Sequence, residues 1–175
     1  MLIGEWRSGK STLIRLLSRT DYRPRKVFAV DHHGDFMNTP SEFLENRRWY
    51  PALITASAHC DILIFVQDAT RTTCQIAPSL AAMFNRRVVG VITKIDLPEA
   101  SVQRAERFLR NAGVREMYPV SLTTGAGLDV LRESLGISLQ SREQERRISA
   151  SFFFTRKPPL PKEEAAFRFK RLLKR

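Results

Sequence analysis

The stretch Gly4-Glu5-Trp6-Arg7-Ser8-Gly9-Lys10-Ser11 follows directly on the apolar start Met1-Leu2-Ile3 and leads into Thr12-Leu13-Ile14-Arg15-Leu16-Leu17. A strand, a glycine-hinged loop and a helix in that order form a phosphate-binding loop. Gly4 and Gly9 let the backbone turn its N–H groups inward as an anion nest. Lys10 reaches the β- and γ-phosphates and is the candidate catalytic residue, because phosphoryl transfer depends on neutralising that charge. The Ser11 hydroxyl is placed to ligate Mg²⁺, and Ser8 and Thr12 complete the phosphate-contacting set. The helix directs the positive end of its dipole at the same point. A plain glycine turn with a solvated lysine would not require these elements in this order.

Outward from the loop, short apolar runs alternate with amphipathic helices, the pattern of a mostly parallel sheet covered on both faces. A second strand is expected at Lys26–Val30, a turn at Asp31-His32-His33-Gly34-Asp35 and a short third strand at Phe36-Met37. A helix over Arg47–Ala58, a buried strand over Asp61–Gln67 and a helix over Ala77–Phe84 follow. The strand Arg87–Thr93, the helix Ser101–Ala112 with Gly113 as its stop, the strand Met117–Val120 and the helix Leu128–Leu135 complete a six-stranded α/β domain over residues 1–136. Such domains ordinarily begin several residues before the phosphate loop, so a start codon assigned too late is expected.

Length and composition agree with this architecture. The 175 residues suffice for one domain with a buried core, and an apolar fraction of 43% is ordinary for a globular chain. No apolar run approaches the roughly 18 residues of a membrane span, and no basic-then-apolar leader opens the chain, so a cytoplasmic protein is expected. Cys60 and Cys74 have no metal-ligand spacing and read as reduced thiols. His32-His33 beside Asp31 and Asp35 matches no zinc pattern and reads as a polar loop.

The formal charge of +11 is concentrated at the end, where residues 136–175 hold eleven Lys and Arg against four Glu. Residues 137–161 read as a charged and then proline-rich linker. Residues 162–175 read as a basic amphipathic helix with Ala165, Phe169, Leu172 and Leu173 on one face. Three readings of that tail stand: a docking helix for a partner protein, a salt-sensitive contact to an anionic membrane or nucleic acid, and a solvated tail. Nucleic acid is not the expected partner.

Thr93-Lys94-Ile95-Asp96 ends a predicted strand where such a sheet presents its base-reading loop. Asp96 would accept hydrogen bonds from guanine N1–H and the exocyclic amine, a donor pair that adenine lacks, while the Lys94 stem covers the base. Ser121-Leu122, after the last strand, fits the loop that closes over the base edge. Guanine is the preferred base and GTP/GDP with Mg²⁺ the expected ligands, with ATP the alternative.

At this point the chain resembles a known family. Gly4 to Ser11, Asn38-Thr39-Pro40-Ser41-Glu42-Phe43, Leu44-Glu45-Asn46-Arg47-Arg48-Trp49-Tyr50, Ala52-Leu53-Ile54 and Thr93-Lys94-Ile95-Asp96-Leu97 are similar to the EutP/PduV proteins, P-loop accessory proteins of ethanolamine- and propanediol-utilising bacterial microcompartments. The resemblance covers residues 1–135. It implies a Ras-like P-loop NTPase fold, a role beside a catabolic microcompartment and a shell or cargo protein as partner for the C-terminal helix. Members of the family are variously GTP-binding or ATP-binding, and some are assigned acetate kinase activity.

The chain departs from the family pattern at several positions. The second switch, D-T-P-G in the family, is Asn38-Thr39-Pro40-Ser41 here. Asn38 is a neutral substitute for a carboxylate that holds a metal-bound water, and Ser41 replaces a glycine whose N–H approaches the γ-phosphate. In the first switch Val27 stands where the family has a metal-ligating threonine, leaving Thr39 and Asp35 as candidates to compensate. These changes spare the cradle and the base reader and affect the parts that sense and cleave the γ-phosphate. A nucleotide-binding protein with feeble hydrolysis and a slow GTPase with unusual switches are both consistent with this. The rivals are an ATP-dependent acetate kinase, for which Arg47 and Arg48 are the candidate cations, and a scaffold that binds no nucleotide.

Overall fold

The computed structural model describes residues 1–18 and 29–137, and Met1–Ile137 forms one compact unit. All of the linker after Ile137, the C-terminal helix and Val27 therefore lie outside the described residues. Six strands make one sheet: β1 (Leu2–Gly4), β2 (Asp31–His33), β3 (Phe36–Asn38), β4 (Ile62–Asp68), β5 (Arg87–Thr93) and β6 (Glu116–Pro119), in the spatial order β2-β3-β1-β4-β5-β6. All neighbours are parallel except β2 and β3, which form an antiparallel hairpin.

The two seven-residue strands β4 and β5 pair along their whole length, from Ile62↔Arg87 to Asp68↔Thr93. Their near-continuous apolar sequences are those of strands buried on both faces. Leu63 and Phe65 point into one core layer with Leu53 of α3 (Tyr50–Ser57) and Leu109 of α4 (Val102–Asn111). Ile64 and Val66 point into the other with Leu13, Ile14 and Leu17 of α1 (Lys10–Ser18) and Leu131 of α5 (Leu128–Ser134). The alternation of strand side chains thus divides the core into two layers, one on each side of the sheet.

Local chemistry moved several elements from their expected places. The second strand is Asp31–His33, where a turn was expected; of the anticipated Lys26–Val30, residues 26–28 are outside the described residues and Ala29 and Val30 precede the strand. Gly34 (φ 55°) and Asp35 make the hairpin turn instead. The helix expected over Ala77–Phe84 is one short 3-10 turn, Leu80–Met83. Ser79 there is left-handed (φ 57°), and its N–H and that of Ala81 bond to Asn111 and Ala112 at the end of α4, at 2.8 and 2.9 Å. Those amides are thereby diverted from a longer helix. The helix expected over Arg47–Ala58 is divided into a 3-10 turn, Arg47–Trp49, and α3, with the Asn46 side chain accepting from the Arg48 N–H at 3.0 Å. A one-turn helix, α2 (Glu42–Glu45), precedes them.

Candidate functional site

A cleft of about 630 Å³ opens along the carboxyl ends of β1, β3, β5 and β6, the edge at which parallel α/β sheets present their ligand sites. It is lined by residues 6–12 of the phosphate loop, residues 38–41 after β3, Lys94, Asp96 and Leu97 after β5, and Leu122 and Thr123 after β6. Of the residues singled out in the sequence, Ser8, Gly9, Lys10, Ser11, Thr12, Lys94, Asp96 and Leu122 line this one cavity. Gly4, Thr93 and Ser121 stand behind its wall and shape it.

The work of each residue behind the wall follows from its contacts. A Cβ on Gly4 would lie 2.5 Å from the Val66 carbonyl and 2.8 Å from the Ser8 hydroxyl, so no side chain fits where β1 enters the loop. At the far end Gly9 takes φ 98°, and a Cβ there would meet the Leu122 side chain at 2.9 Å. Thr93 donates its hydroxyl to the Ser8 carbonyl at 2.7 Å, joining the base-side loop to the phosphate loop across 85 residues of sequence. The Ser121 hydroxyl accepts from the Thr123 and Thr124 N–H groups at 3.3 and 3.0 Å, which fixes the turn that carries Leu122.

Lys10 folds onto its own loop, donating to the Gly4 and Glu5 carbonyls at 2.6 and 2.8 Å. Burial lowers its pKa to about 8, against the opposing pull of Glu42 and Glu5. The Asn38 amide nitrogen lies 3.3 Å from the Ser11 hydroxyl, so the end of β3 and the start of α1 meet at the expected metal ligand. Thr39 lines the cleft, and its hydroxyl donates to the Leu2 carbonyl at 2.8 Å, which ties the segment after β3 back to β1. Asp35, in the hairpin turn, does not line the cleft. Ser41 has φ −64° and ψ −30°, ordinary right-handed geometry that needs no glycine.

Some functional contacts were not visible in the sequence. Asp68, at the end of β4, receives Lys94 Nζ at 2.5 Å and the Thr70 N–H and hydroxyl at 2.9 and 2.7 Å. Burial pushes the Asp68 carboxyl up, but the bonds from Lys94 and Thr70 outweigh it and hold the pKa below its ordinary value. Lys94 is itself left-handed (φ 60°), so the base-side loop is held by that ion pair in a conformation a lysine seldom adopts. Asp96, two residues on, is exposed at the cleft. Glu5 is 3% exposed; its carboxylate accepts from the Gln75 N–H at 2.7 Å and pairs with Arg71 at 3.5 Å. An acidic residue closing a buried strand, as Asp68 does, was the one available signal. Glu5 gave none, since its partners lie about seventy positions away.

The sheet order, the phosphate loop and the cleft define a Ras-like P-loop fold. Roco2 RocCORdC of Methanosarcina barkeri, solved bound to GDP, shares that fold at a TM-score of 0.50 and 15% identity, covering 77% of this chain and 46% of its own. The family model for ethanolamine utilisation and propanediol utilisation proteins, PduV-EutP, matches residues 1–136, and the chain belongs to that family. It is 33% identical to the propanediol utilization protein PduV of Citrobacter freundii over 132 residues, 74% of this chain and 87% of that protein. It is also 33% identical over 146 residues to a protein of Salmonella typhimurium named "Probable acetate kinase EutP", covering 82% of this chain and 90% of the relative. Among the described residues no helix is long and apolar enough to cross a membrane.

Proposed function

We propose that this chain binds a guanine nucleotide with Mg²⁺ and hydrolyses it slowly, as an accessory protein of an ethanolamine- or propanediol-utilising microcompartment. The observation that carries the reading is the shared cleft, in which Lys10, Ser11, Asn38 and Asp96 from three separate loops line one cavity. Lys10 and the backbone of residues 5–10 neutralise and cradle the phosphates, and Asp96 accepts from the guanine edge. Ser11 and Asn38 would hold the metal. Both are cleft-lining oxygen-bearing side chains, and an Asn38 amide turned end for end offers its oxygen beside the Ser11 hydroxyl. Mg²⁺, when bound, neutralises charge on the β- and γ-phosphates. With an amide in place of a carboxylate at 38 and no glycine at 41, the residues here stabilise bound nucleotide better than they stabilise its cleavage.

The name of the Salmonella relative favours a second reading, phosphoryl transfer between ATP and acetate. Arg47 and Arg48, its candidate cations, are exposed on the 3-10 turn and do not line the cleft, which weighs against it. Displacement of a fluorescent GDP by GTP, GDP and ATP distinguishes the readings. Guanine nucleotides competing at least tenfold better than ATP support the proposal; preference for ATP together with acetate-dependent phosphate transfer replaces it with the kinase. Absence of saturable binding would leave a scaffold.

A further inference from the structure

The variable positions of the phosphate loop, Trp6 and Arg7, both face the cleft. Their backbone is fastened from behind: the Trp6 carbonyl accepts from Arg71 at 3.1 Å, and the same arginine pairs with the buried Glu5 carboxylate. Arg7 takes φ 61°, a left-handed conformation in which glycine would be the cheaper residue. Strain of this kind persists where the surroundings enforce it and recurs at ligand sites. The Arg7 guanidinium lies 4.2 Å from the centroid of the Trp6 ring, which is itself 51% exposed. Among the described residues, the other cleft-lining cations have polar partners in the unliganded site: Lys10 the Gly4 and Glu5 carbonyls, Lys94 the Asp68 carboxylate. Arg7 has no carboxylate partner among them and only the indole face as a resting place, a contact worth little when exposed.

We propose that Arg7 is a specificity-determining residue of the nucleotide site, a cation that leaves the Trp6 ring to pair with the phosphate chain. This rests on the nucleotide-binding reading above. A planar guanidinium makes paired hydrogen bonds to phosphate oxygens, a stronger contact than the exposed stack on an indole, so an anionic ligand pulls the side chain inward. In the unliganded protein Trp6 then serves as a platform that keeps the cation at the mouth of the cleft. The pair adds positive charge beside the phosphates in a site whose second switch carries Asn38 in place of a carboxylate.

The test uses the full chain carrying Trp49→Phe, which leaves Trp6 as the single tryptophan of the two in the sequence. Mg·GTP and Mg·GMP are titrated into this protein and into its Arg7→Gly and Arg7→Lys derivatives at two salt concentrations. Glycine suits the backbone at position 7, so Arg7→Gly should fold normally; circular dichroism checks this. The expected result is a change in Trp6 emission on adding GTP to the parent. Arg7→Gly should lose affinity for GTP by about tenfold or more, the worth of a charge-assisted contact. It should also lose less for GMP, depend less steeply on salt and show little emission change, with Arg7→Lys between the two. A folded Arg7→Gly that binds GTP within about twofold of the parent, with unchanged salt dependence, overturns this assignment and leaves nucleotide binding standing. No binding to the parent overturns the underlying reading and this assignment with it.

Discussion

The cradle and the segment after β3 face each other across one cleft, yet they are built differently. The cradle is fastened from several directions: Thr93 to the Ser8 carbonyl, Lys10 to Gly4 and Glu5, Arg71 to Glu5 and Trp6. Its glycines occupy positions where a Cβ would strike its neighbours. At residues 38–41, by contrast, Ser41 sits in relaxed right-handed backbone, Asn38 presents an amide to Ser11 and Thr39 is tied back to β1. Steric necessity fixes the glycines of the loop, while on the proposed reading the opposite wall carries residues that sense a γ-phosphate poorly. Binding and cleavage are therefore expected to come apart in this protein.

The comparison breaks most readily at Lys10. Lys10→Ala should reduce GTP and GDP affinity by about a hundredfold, as loss of a charge-assisted contact to phosphate implies; equilibrium titration measures it. Next in size is Asp96→Asn, which should shift preference from guanine to xanthine nucleotides by tens of fold in a competition assay. If the preference stays put, Asp96 does not read the base. Restoring the opposite wall with Asn38→Asp and Ser41→Gly should raise single-turnover hydrolysis by about tenfold or more, through a metal-holding carboxylate and a freer backbone. The glycine should also lower stability by about 0.5–1 kcal/mol, because it enters a helical conformation that serine already satisfies.

A smaller effect is expected from pH. The folded, unliganded Lys10 has a pKa of about 8, below its ordinary 10.5, so its protonated form is disfavoured by burial. Phosphate binds the protonated form, so GTP affinity should be flat below pH 8 and about tenfold weaker at pH 9. The sign for stability is the reverse: between about 8 and 10.5 the unfolded chain holds more protons at this site, so Lys10 contributes less destabilisation as pH rises. A Lys10→Met variant should lack both slopes. The smallest change is expected for Asp68→Asn, which weakens the hold on Lys94 and should lower guanine affinity a few-fold while leaving the phosphate contacts in place.

Much of the fold was legible because its signals are local. The apolar runs within β4 and β5, the loop from Gly4 to Ser11 and the helix ending near Gly113 each follow from residue type and spacing alone. Elements decided by distant partners were harder to read. Residues 77–84 look helical until Ala112 and Asn111 claim their amides. Asp31–His33 looks like a turn until it pairs with Phe36–Asn38. The same division holds in the site. Lys10, Ser11 and Asp96 belong to contiguous motifs, whereas Glu5, Asp68 and Arg71 act through contacts that only the folded sheet creates.

The most direct measurement follows binding and cleavage of γ-labelled Mg·GTP in one sample of the full chain, under single-turnover conditions with protein in excess. Nucleotide retained by the protein and still largely uncleaved after many minutes, with Asn38→Asp/Ser41→Gly cleaving it faster, is the predicted result. Failure to retain any GTP, or cleavage of the bound GTP as fast as it can be followed, would contradict the division between an intact cradle and an impaired opposite wall.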